Sequence, residues 1–349
     1  MINLIIDGIN VTVEEGTNII DAAKKVGIEI PQLCYLKNLS AFGGCRMCMV
    51  EINGKKKPEA ACATLCKEGM NVVTKSDRLI KYRKGLLKLL MSNHPVDCLT
   101  CSAVGRCTLQ DLCFEYGVRA PFYEGKKSSF AIDYYNPIMI RDQNKCIKCG
   151  KCVRVCKEVQ VTGTYDFVGR GFYSTVTTAF DQNINSDICR MCGQCISSCP
   201  VGALENKQLY TYRPWELKKV RTTCPFCGTG CNFDLNVYKG KVVGVTPAED
   251  APINGTQLCV KGRFHTDLIN SKDRLTSPLI KENGEFRKAS WEEALDLVSK
   301  KFTEIKNEYG PDSIAGLSSA RCTNEDNFAF QKFMRVAIGT NNVDHCART

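Results

Sequence analysis

The chain has 349 residues, a length that suits several small domains, each with its own source of stability. Its 23 cysteines would suit disulfides in a secreted protein, but the N-terminus lacks a leader peptide and no apolar run suits a transmembrane segment. We therefore expect a cytoplasmic protein whose cysteines bind metal. The formal charge of +10 counts every thiol as neutral. Metal-bound thiolate groups would carry negative charge that offsets this positive charge, so we expect no nucleic-acid partner.

The N-terminal region predicts a hairpin followed by a helix. Residues 2–13 alternate apolar and polar side chains around Asp7-Gly8, a strong signal for a tight turn between two strands. Asn18 or Thr17 can cap a short helix that ends at Gly27. A hairpin plus a helix is typical of the opening of a β-grasp domain, which we assign to residues 1–78.

Residues 77–92 predict a longer helix with leucines on one side. We expect its basic face to be solvated; that face comprises Lys81, Arg83, Lys84 and Lys88. The aromatic and irregular stretch from Pro121 to Pro137 predicts a linker laid over a neighbouring domain.

The first cysteine group lies in the β-grasp region. Gly43 and Gly44 precede its central pair and allow backbone amides to approach an inorganic core closely. Four thiolates in such a loop predict a 2Fe-2S cluster, and a zinc site is the alternative. The predicted ligands are Cys34, Cys45, Cys48 and Cys62.

The second group lies in the segment HPVDCLTCSAVGRC, within a predicted domain of residues 79–120. It combines one histidine with three cysteines and predicts an iron–sulfur cluster, whose neutral imidazole ligand would raise the reduction potential. A purely structural role for the histidine is the alternative. The predicted ligands are His94, Cys98, Cys101 and Cys107.

Residues 137–210 contain two runs of CxxCxxCxxxC, which is the pattern of a two-cluster ferredoxin domain. In this arrangement the fourth cysteine of each run ligates the cluster of the other run. One 4Fe-4S cluster is therefore assigned to Cys146, Cys149, Cys152 and Cys199, and the other to Cys189, Cys192, Cys195 and Cys156.

The last group, in residues 217–275, supplies four further thiolates that can hold one cluster, namely Cys224, Cys227, Cys231 and Cys259. By its residue chemistry alone, the nearby Lys261 is a surface cation that offsets cluster charge. We expect the remaining cysteines to be buried as small apolar side chains; they are Cys66, Cys113, Cys322 and Cys346.

Residues 276–349 have a different pattern. Ser290 and Glu293 predict a capping box that opens a helix ending at Gly310. A strand over 313–317, a helix over 324–338 and a strand near Val343 would follow, as in the start of an α/β domain. The fold class expected is an α+β multidomain iron–sulfur protein.

These motifs resemble known families. The first three groups resemble those of iron-only hydrogenases and of the large NADH dehydrogenase iron–sulfur subunit, which implies a 4Fe-4S cluster at the histidine-containing group. CPFCGTGC with LCVKGRF resembles the four-iron domain of enzymes that bind a molybdenum or tungsten bis-pterin guanine dinucleotide cofactor. This resemblance implies a 4Fe-4S cluster at Cys224, Cys227, Cys231 and Cys259, and it implies that Lys261 bridges cluster and pterin. The segment SSARCTNEDNFAFQKFMRVAIGTNNVDHCART resembles formate dehydrogenase alpha subunits.

The formate dehydrogenase resemblance implies oxidation of formate to carbon dioxide, or the reverse, with electrons relayed through five clusters. It also implies a flavin-containing NAD(P)H-oxidising subunit, a hydrogenase subunit or ferredoxin as partner. In that family the metal ligand, selenocysteine or cysteine, follows the position of Thr349, so we expect no catalytic residue in this chain and hypothesise termination at a selenocysteine codon. The alternatives are a noncatalytic electron-transfer subunit, an iron-only hydrogenase and an NADH dehydrogenase-type subunit.

Overall fold

The computed structural model describes residues 1–37, 39–120, 122–185 and 187–346. The chain forms two compact units, Met1–Leu217 and Lys218–Thr349. Across the described ranges, no helix combines the length and the apolar character needed to cross a membrane.

The first unit opens with the predicted hairpin, which is confirmed. Strands β1 (Ile2–Ile6) and β2 (Ile9–Val13) pair antiparallel. Asp7 and Gly8 have φ angles of 47° and 84°, as a tight two-residue turn requires. Helix α1 (Ile19–Lys25) follows, and the Asn18 side chain caps it by accepting a hydrogen bond of 2.9 Å from the Asp21 amide.

The hairpin belongs to a mixed five-stranded sheet completed by β3 (Met49–Ile52), β4 (Glu59–Ala60) and β5 (Met70–Val73). The strand order is β2-β1-β5-β3-β4, with β5 parallel to β1. Helix α1 packs its apolar face on this sheet, and the core between them includes Ile6, Val13 and Ile19. Cys48 and Cys62 of the first cysteine group pack in this same core.

Helices α2 (Asp77–Asn93) and α3 (Thr108–Glu115) form the next layer, around a core that includes Leu87 and Leu109. The prediction of a solvated basic face on α2 is wrong for Arg83, which is 1% exposed. Its side chain points into the protein because position 83 lies one helical turn from both Leu79 and Leu87, on the buried side of the helix.

The ferredoxin-like region is built from short elements around the cysteines. They are β6 (Met139–Arg141), α4 (Lys151–Arg154), β7 (Asp166–Val168), β8 (Thr175–Thr177), α5 (Gln194–Ser198) and β9 (Leu204–Asn206). Strand β6 pairs with β9 and β7 with β8, both antiparallel. The predicted linker lies against this region, since Asp133 and Arg141 exchange backbone hydrogen bonds.

The second unit begins with a three-stranded antiparallel sheet. Its strands are β10 (Lys218–Thr223), β11 (Asn232–Tyr238) and β12 (Lys241–Pro247), followed by the short helices α6 (Val260–Phe264) and α7 (Asp267–Asn270). A separate hairpin of β13 (Leu279–Glu282) and β14 (Glu285–Lys288) comes next.

Helix α8 (Trp291–Tyr309) leads into the expected βαβ arrangement, which is confirmed. Strands β15 (Gly316–Ser319) and β16 (Val343–Cys346) are parallel, and α9 (Asn324–Phe333) connects them. The strand predicted over 313–317 instead begins at Gly316, because Pro311–Ser313 form a 3₁₀ turn. The Ser290 hydroxyl accepts from the Glu293 amide, while the Glu293 carboxylate accepts from Arg287.

Candidate metal centres

The four cysteines of the first group meet at one place beside the five-stranded sheet. Cys34 forms hydrogen bonds with Cys45 and Cys62, and Cys48 forms one with Cys62. These bonds lower the pKa of the Cys34 and Cys48 thiols and raise the pKa of Cys45 and Cys62. Four thiols in mutual contact can share one small inorganic core.

The loop around this group turns its amides toward sulfur. The backbone amides of Cys45 and Gly44 donate to the Cys34 thiol. Gly43 has a φ of +61°, and a side chain at Gly44 would overlap the Phe42 ring. Glycine at both positions suits this loop, since Gly43 has a left-handed backbone and Gly44 lies directly against the Phe42 ring.

The second group lies at the end of α2 and the start of α3. Its three thiols are close enough for their charges to interact, and together with burial this raises the pKa of Cys98 and Cys107. His94 is 8% exposed, and burial lowers the pKa of its imidazole and so favours the neutral form that ligates metal. Its Nδ1 atom is buried and has no hydrogen-bond partner among the described residues. An acceptor nitrogen without a protein partner suits a metal ligand.

Replacing His94 with alanine is expected to remove the four-iron cluster of this group, while His94→Cys is expected to retain it at a lower reduction potential, because thiolate adds negative charge. Redox titration followed by electron paramagnetic resonance would measure both effects. Cys113→Ala, which changes a half-buried thiol in the same region, is the control. A fully loaded His94→Ala protein with unchanged potential would show that the histidine is structural.

The two ferredoxin-type runs surround two separate cavities. Cys146, Cys149, Cys152 and Cys199 line the first, together with Tyr165 and Val201. The second cavity is lined by Cys156 from the first run and by Cys189, Cys192 and Cys195 from the second. Each cavity thus receives its fourth cysteine from the other run.

The two runs also share an unusual backbone conformation. Lys148 and Met191, each just before the second cysteine of its run, have φ angles of 54° and 50°. Gly150 and Gly193, each just after that cysteine, have φ angles of 69° and 74°. The Met191 amide donates to the Cys189 sulfur at 3.3 Å, and the Lys148 amide donates to Cys146. Inward-pointing amides of this kind stabilise anionic groups.

The last group lies in the second unit, between β10 and α6. The Cys224 amide donates to the Cys231 carbonyl at 2.8 Å, and the thiols of Cys227 and Cys259 are close enough for their charges to act on Cys231. The Phe226 amide donates to the Cys224 thiol, which repeats the pattern of the ferredoxin-type runs. Lys261 lies in the first turn of α6 and is exposed.

Within the described ranges, no three or more histidine, cysteine, aspartate or glutamate side chains form a single-ion site. The remaining cysteines have different environments. Cys66 is buried in the core of the β-grasp region, as expected, and Cys113 and Cys322 are half-buried. The prediction of burial is wrong for Cys346, which is exposed at the end of β16, with its sulfur 3.5 Å from the Ser319 hydroxyl.

Two arginines bond to the backbone around the first group, and the sequence analysis predicted neither of them as a site residue. Arg83 of α2 donates to the carbonyls of Met47 and Met49, on either side of Cys48. Arg154 of α4 donates to the Cys34 carbonyl and, at 2.7 Å, to the Ser40 carbonyl. In the sequence, the burial of Arg83 was indicated by its spacing of four residues from both Leu79 and Leu87.

Five family models match the chain in succession. A 2Fe-2S iron–sulfur cluster binding domain matches residues 1–77, and the NADH-ubiquinone oxidoreductase-G iron–sulfur binding region matches 83–121. A 4Fe-4S dicluster domain matches 145–203. The molybdopterin oxidoreductase Fe4S4 domain matches 217–271, and the molybdopterin oxidoreductase model matches 274–349.

Relatives align with nearly the whole chain. It is 40% identical to the alpha subunit of an NADPH-Fe(3+) oxidoreductase of Geobacter sulfurreducens and 38% identical to an NADH-quinone oxidoreductase subunit of Rhizobium meliloti, over 100% of the chain in both cases. It is 33% identical, over 98% of its length, to a Staphylococcus aureus protein named "Putative formate dehydrogenase SAB2186c". The chain spans 39% to 40% of the length of these relatives.

A similar solved structure is that of an NAD⁺-reducing NiFe-hydrogenase in its H2-reduced state. The TM-score is 0.54 at 29% sequence identity, and the match covers 61% of this chain and 90% of that one. The iron–sulfur domains match those of electron-transferring subunits, and the remaining residues match the molybdopterin models. Successive parts of the chain are therefore similar to iron–sulfur cluster domains and, over residues 217–349, to molybdopterin oxidoreductase domains.

Proposed function

We propose that the chain is the N-terminal part of a formate dehydrogenase alpha subunit and that it relays electrons through five iron–sulfur clusters. The observation that carries the relay is the pair of cavities, each lined by four cysteines drawn from both ferredoxin-type runs. Clusters held in this way supply one-electron steps, and the protein supplies position and electrostatics. The cluster assignments are one 2Fe-2S and four 4Fe-4S, with molybdenum or tungsten bis-pterin guanine dinucleotide in the longer protein.

The proposed route begins at the Cys224 group and continues through the ferredoxin-type pair toward the N-terminal groups. Contacts inside the first unit support its later part. The charge of Cys34 acts on the Cys149 thiol, so the first cysteine group and the first ferredoxin-type run are close neighbours. Phe42 of the 2Fe-2S loop stacks on Phe167 with the ring centroids 5.6 Å apart. Neighbouring clusters at such a contact could exchange electrons directly.

A second contact reaches the histidine-containing group. A side chain at Gly202 would approach the Cys101 sulfur to 3.0 Å, so the segment after Cys199 packs directly on that group. Within this proposal Lys261 carries electrons between the Cys224 group and the pterin. Its exposed position on α6 is equally suited to offsetting cluster charge.

The redox partner we propose is a flavin-containing NAD(P)H-oxidising subunit, with a hydrogenase subunit or ferredoxin as alternatives. The names of the Geobacter and Rhizobium relatives and of the NiFe-hydrogenase refer to nicotinamide-linked oxidoreductases. A second candidate function is that of an electron-transfer subunit without formate chemistry. It is favoured by the higher identity to the Rhizobium NADH-quinone oxidoreductase protein than to the Staphylococcus protein, 38% against 33%.

The test compares this chain with a longer polypeptide that contains it, both purified without oxygen. Dithionite is expected to reduce one binuclear and four tetranuclear clusters in either protein, as counted by electron paramagnetic resonance. Formate is expected to reduce the clusters of the longer protein only. If formate has no effect there and NADH or NADPH reduces the clusters through a partner subunit, the second candidate is correct. If dithionite reveals no binuclear signal, the relay itself is refuted.

A further inference from the structure

Arg83 is a buried cation whose partners carry no charge. Its Nε donates to the Met47 carbonyl at 3.1 Å, and one terminal nitrogen donates to the carbonyls of Met49 and Thr74, both at 2.9 Å. The other terminal nitrogen donates to the Tyr116 hydroxyl at 3.3 Å. All these acceptors are neutral, so the hydrogen bonds orient the guanidinium without neutralising it.

Arg154 is also a buried cation whose hydrogen-bond acceptors are neutral carbonyls. It is 8% exposed, donates to the carbonyls of Cys34 and Ser40, and lies over the Phe42 ring with its guanidinium carbon 5.6 Å from the ring centroid. Its Nε atom is buried and has no hydrogen-bond partner among the described residues. One N–H of this cation is therefore directed at no acceptor that the described protein supplies.

In the part of the chain that the structure describes, no carboxylate lies within 4.0 Å of the guanidinium nitrogens of either arginine. The carboxylate that Arg154 influences from farther away is that of Glu158, which accepts a hydrogen bond from the Ser40 amide and not from Arg154. Arginine stays protonated in proteins, and a buried charge without a counter-charge is strongly unfavourable. Both side chains bond to the segment that carries Cys34 and Cys48. The anion that fits both observations is the thiolate-bound cluster itself, which carries a net negative charge.

We propose that Arg83 and Arg154 are positioning residues that hold the loop of the binuclear site and raise the reduction potential of its cluster. The inference rests on the proposed assignment of a 2Fe-2S cluster to Cys34, Cys45, Cys48 and Cys62. Reduction adds one electron and one negative charge without making or breaking a bond at either arginine. Two fixed positive charges therefore stabilise the reduced form more than the oxidised form.

The experiment is a redox titration of the binuclear signal in the iron-loaded chain and its variants. Arg83→Gln and Arg154→Gln are each expected to shift the midpoint to lower potential, and the double variant to shift it further. Arg83→Lys keeps the charge and is expected to stay near the original potential. Lys84→Gln removes a charge from an exposed neighbour on the same helix and is expected to cause no shift.

Unchanged midpoints in Arg83→Gln and Arg154→Gln, with the binuclear signal intact, would overturn the inference. If Arg83→Gln does not fold, Arg154→Gln and Arg154→Lys test the inference by themselves. The midpoint potential of the binuclear cluster should then shift in the glutamine variant only. Equal shifts in both would indicate a packing effect and overturn the electrostatic role. A wild-type chain without a binuclear signal would instead refute the proposed function, so the two failures are distinguishable.

Discussion

Replacing Cys146 and Cys199 together with alanine is expected to abolish one four-iron cluster, whereas replacing Cys156 and Cys199 together is expected to abolish two. The reason is that Cys146 and Cys199 line the same cavity, while Cys156 lines the other one. The first pair should therefore lose about the same iron as either single variant, and the second pair about twice as much. Iron and acid-labile sulfide analysis of anaerobically purified protein measures the difference.

If each run ligates its own cluster, replacing Cys146 and Cys199 together would remove two clusters, as would replacing Cys156 and Cys199 together. The Cys146 and Cys199 pair therefore distinguishes the two arrangements. Cys66→Ala is the matched control, because Cys66 is buried in the β-grasp core away from both cavities. Its iron content should equal that of the unmodified chain.

Removing iron with a chelator is expected to unfold the ferredoxin-type region while leaving the C-terminal βαβ segment protected. The core around Met139, Val153 and Ile184 is small and is completed by cysteine side chains. Without iron the Cys199 thiol is neutral, since burial raises its pKa to about 12, and only this small core and short strand pairings then hold the two runs together. Metal binding and folding are coupled in such domains.

Hydrogen exchange followed by mass spectrometry would measure this effect. In the iron-free protein, amides in residues 139–206 are expected to exchange faster by a factor on the order of 100 or more. Such a factor corresponds to the loss of several kcal/mol of local stability. The core formed by Ile314, Met334 and Ile338 contains no cysteine and serves as the internal control. Equal protection with and without iron in 139–206 would show that the polypeptide alone maintains this region.

The sequence was most informative where local geometry decides the structure. The turn at Asp7-Gly8 and the Asn18 cap follow from which backbone angles and side-chain acceptors those residues favour. The spacing of cysteines likewise predicted groups that the structure brings together, including Cys156 and Cys199 in exchanged cavities. Short spacings leave a chain few ways to wrap a cluster, so motif and geometry are closely linked.

The failures involve long-range contacts. Arg83 was interpreted as part of a solvated face because arginine is usually exposed, yet its partners Met47 and Met49 come from a distant segment that no local pattern reveals. The same holds for Arg154, which bonds to Cys34 and Ser40. Cys346 was expected to be buried because of its residue type. It is exposed because its exposure depends on its position at the end of β16.

The exchange of the fourth cysteine between the two runs has a consequence for biosynthesis. The first cavity remains incomplete until Cys199 has left the ribosome, although Cys146, Cys149 and Cys152 emerge much earlier. Domains generally fold as units during synthesis, from the N-terminus onward. Loading of this pair is therefore a late, joint event, and a nascent chain halted between the two runs would expose four thiols, three of the first cavity and Cys156 of the second, with neither site complete.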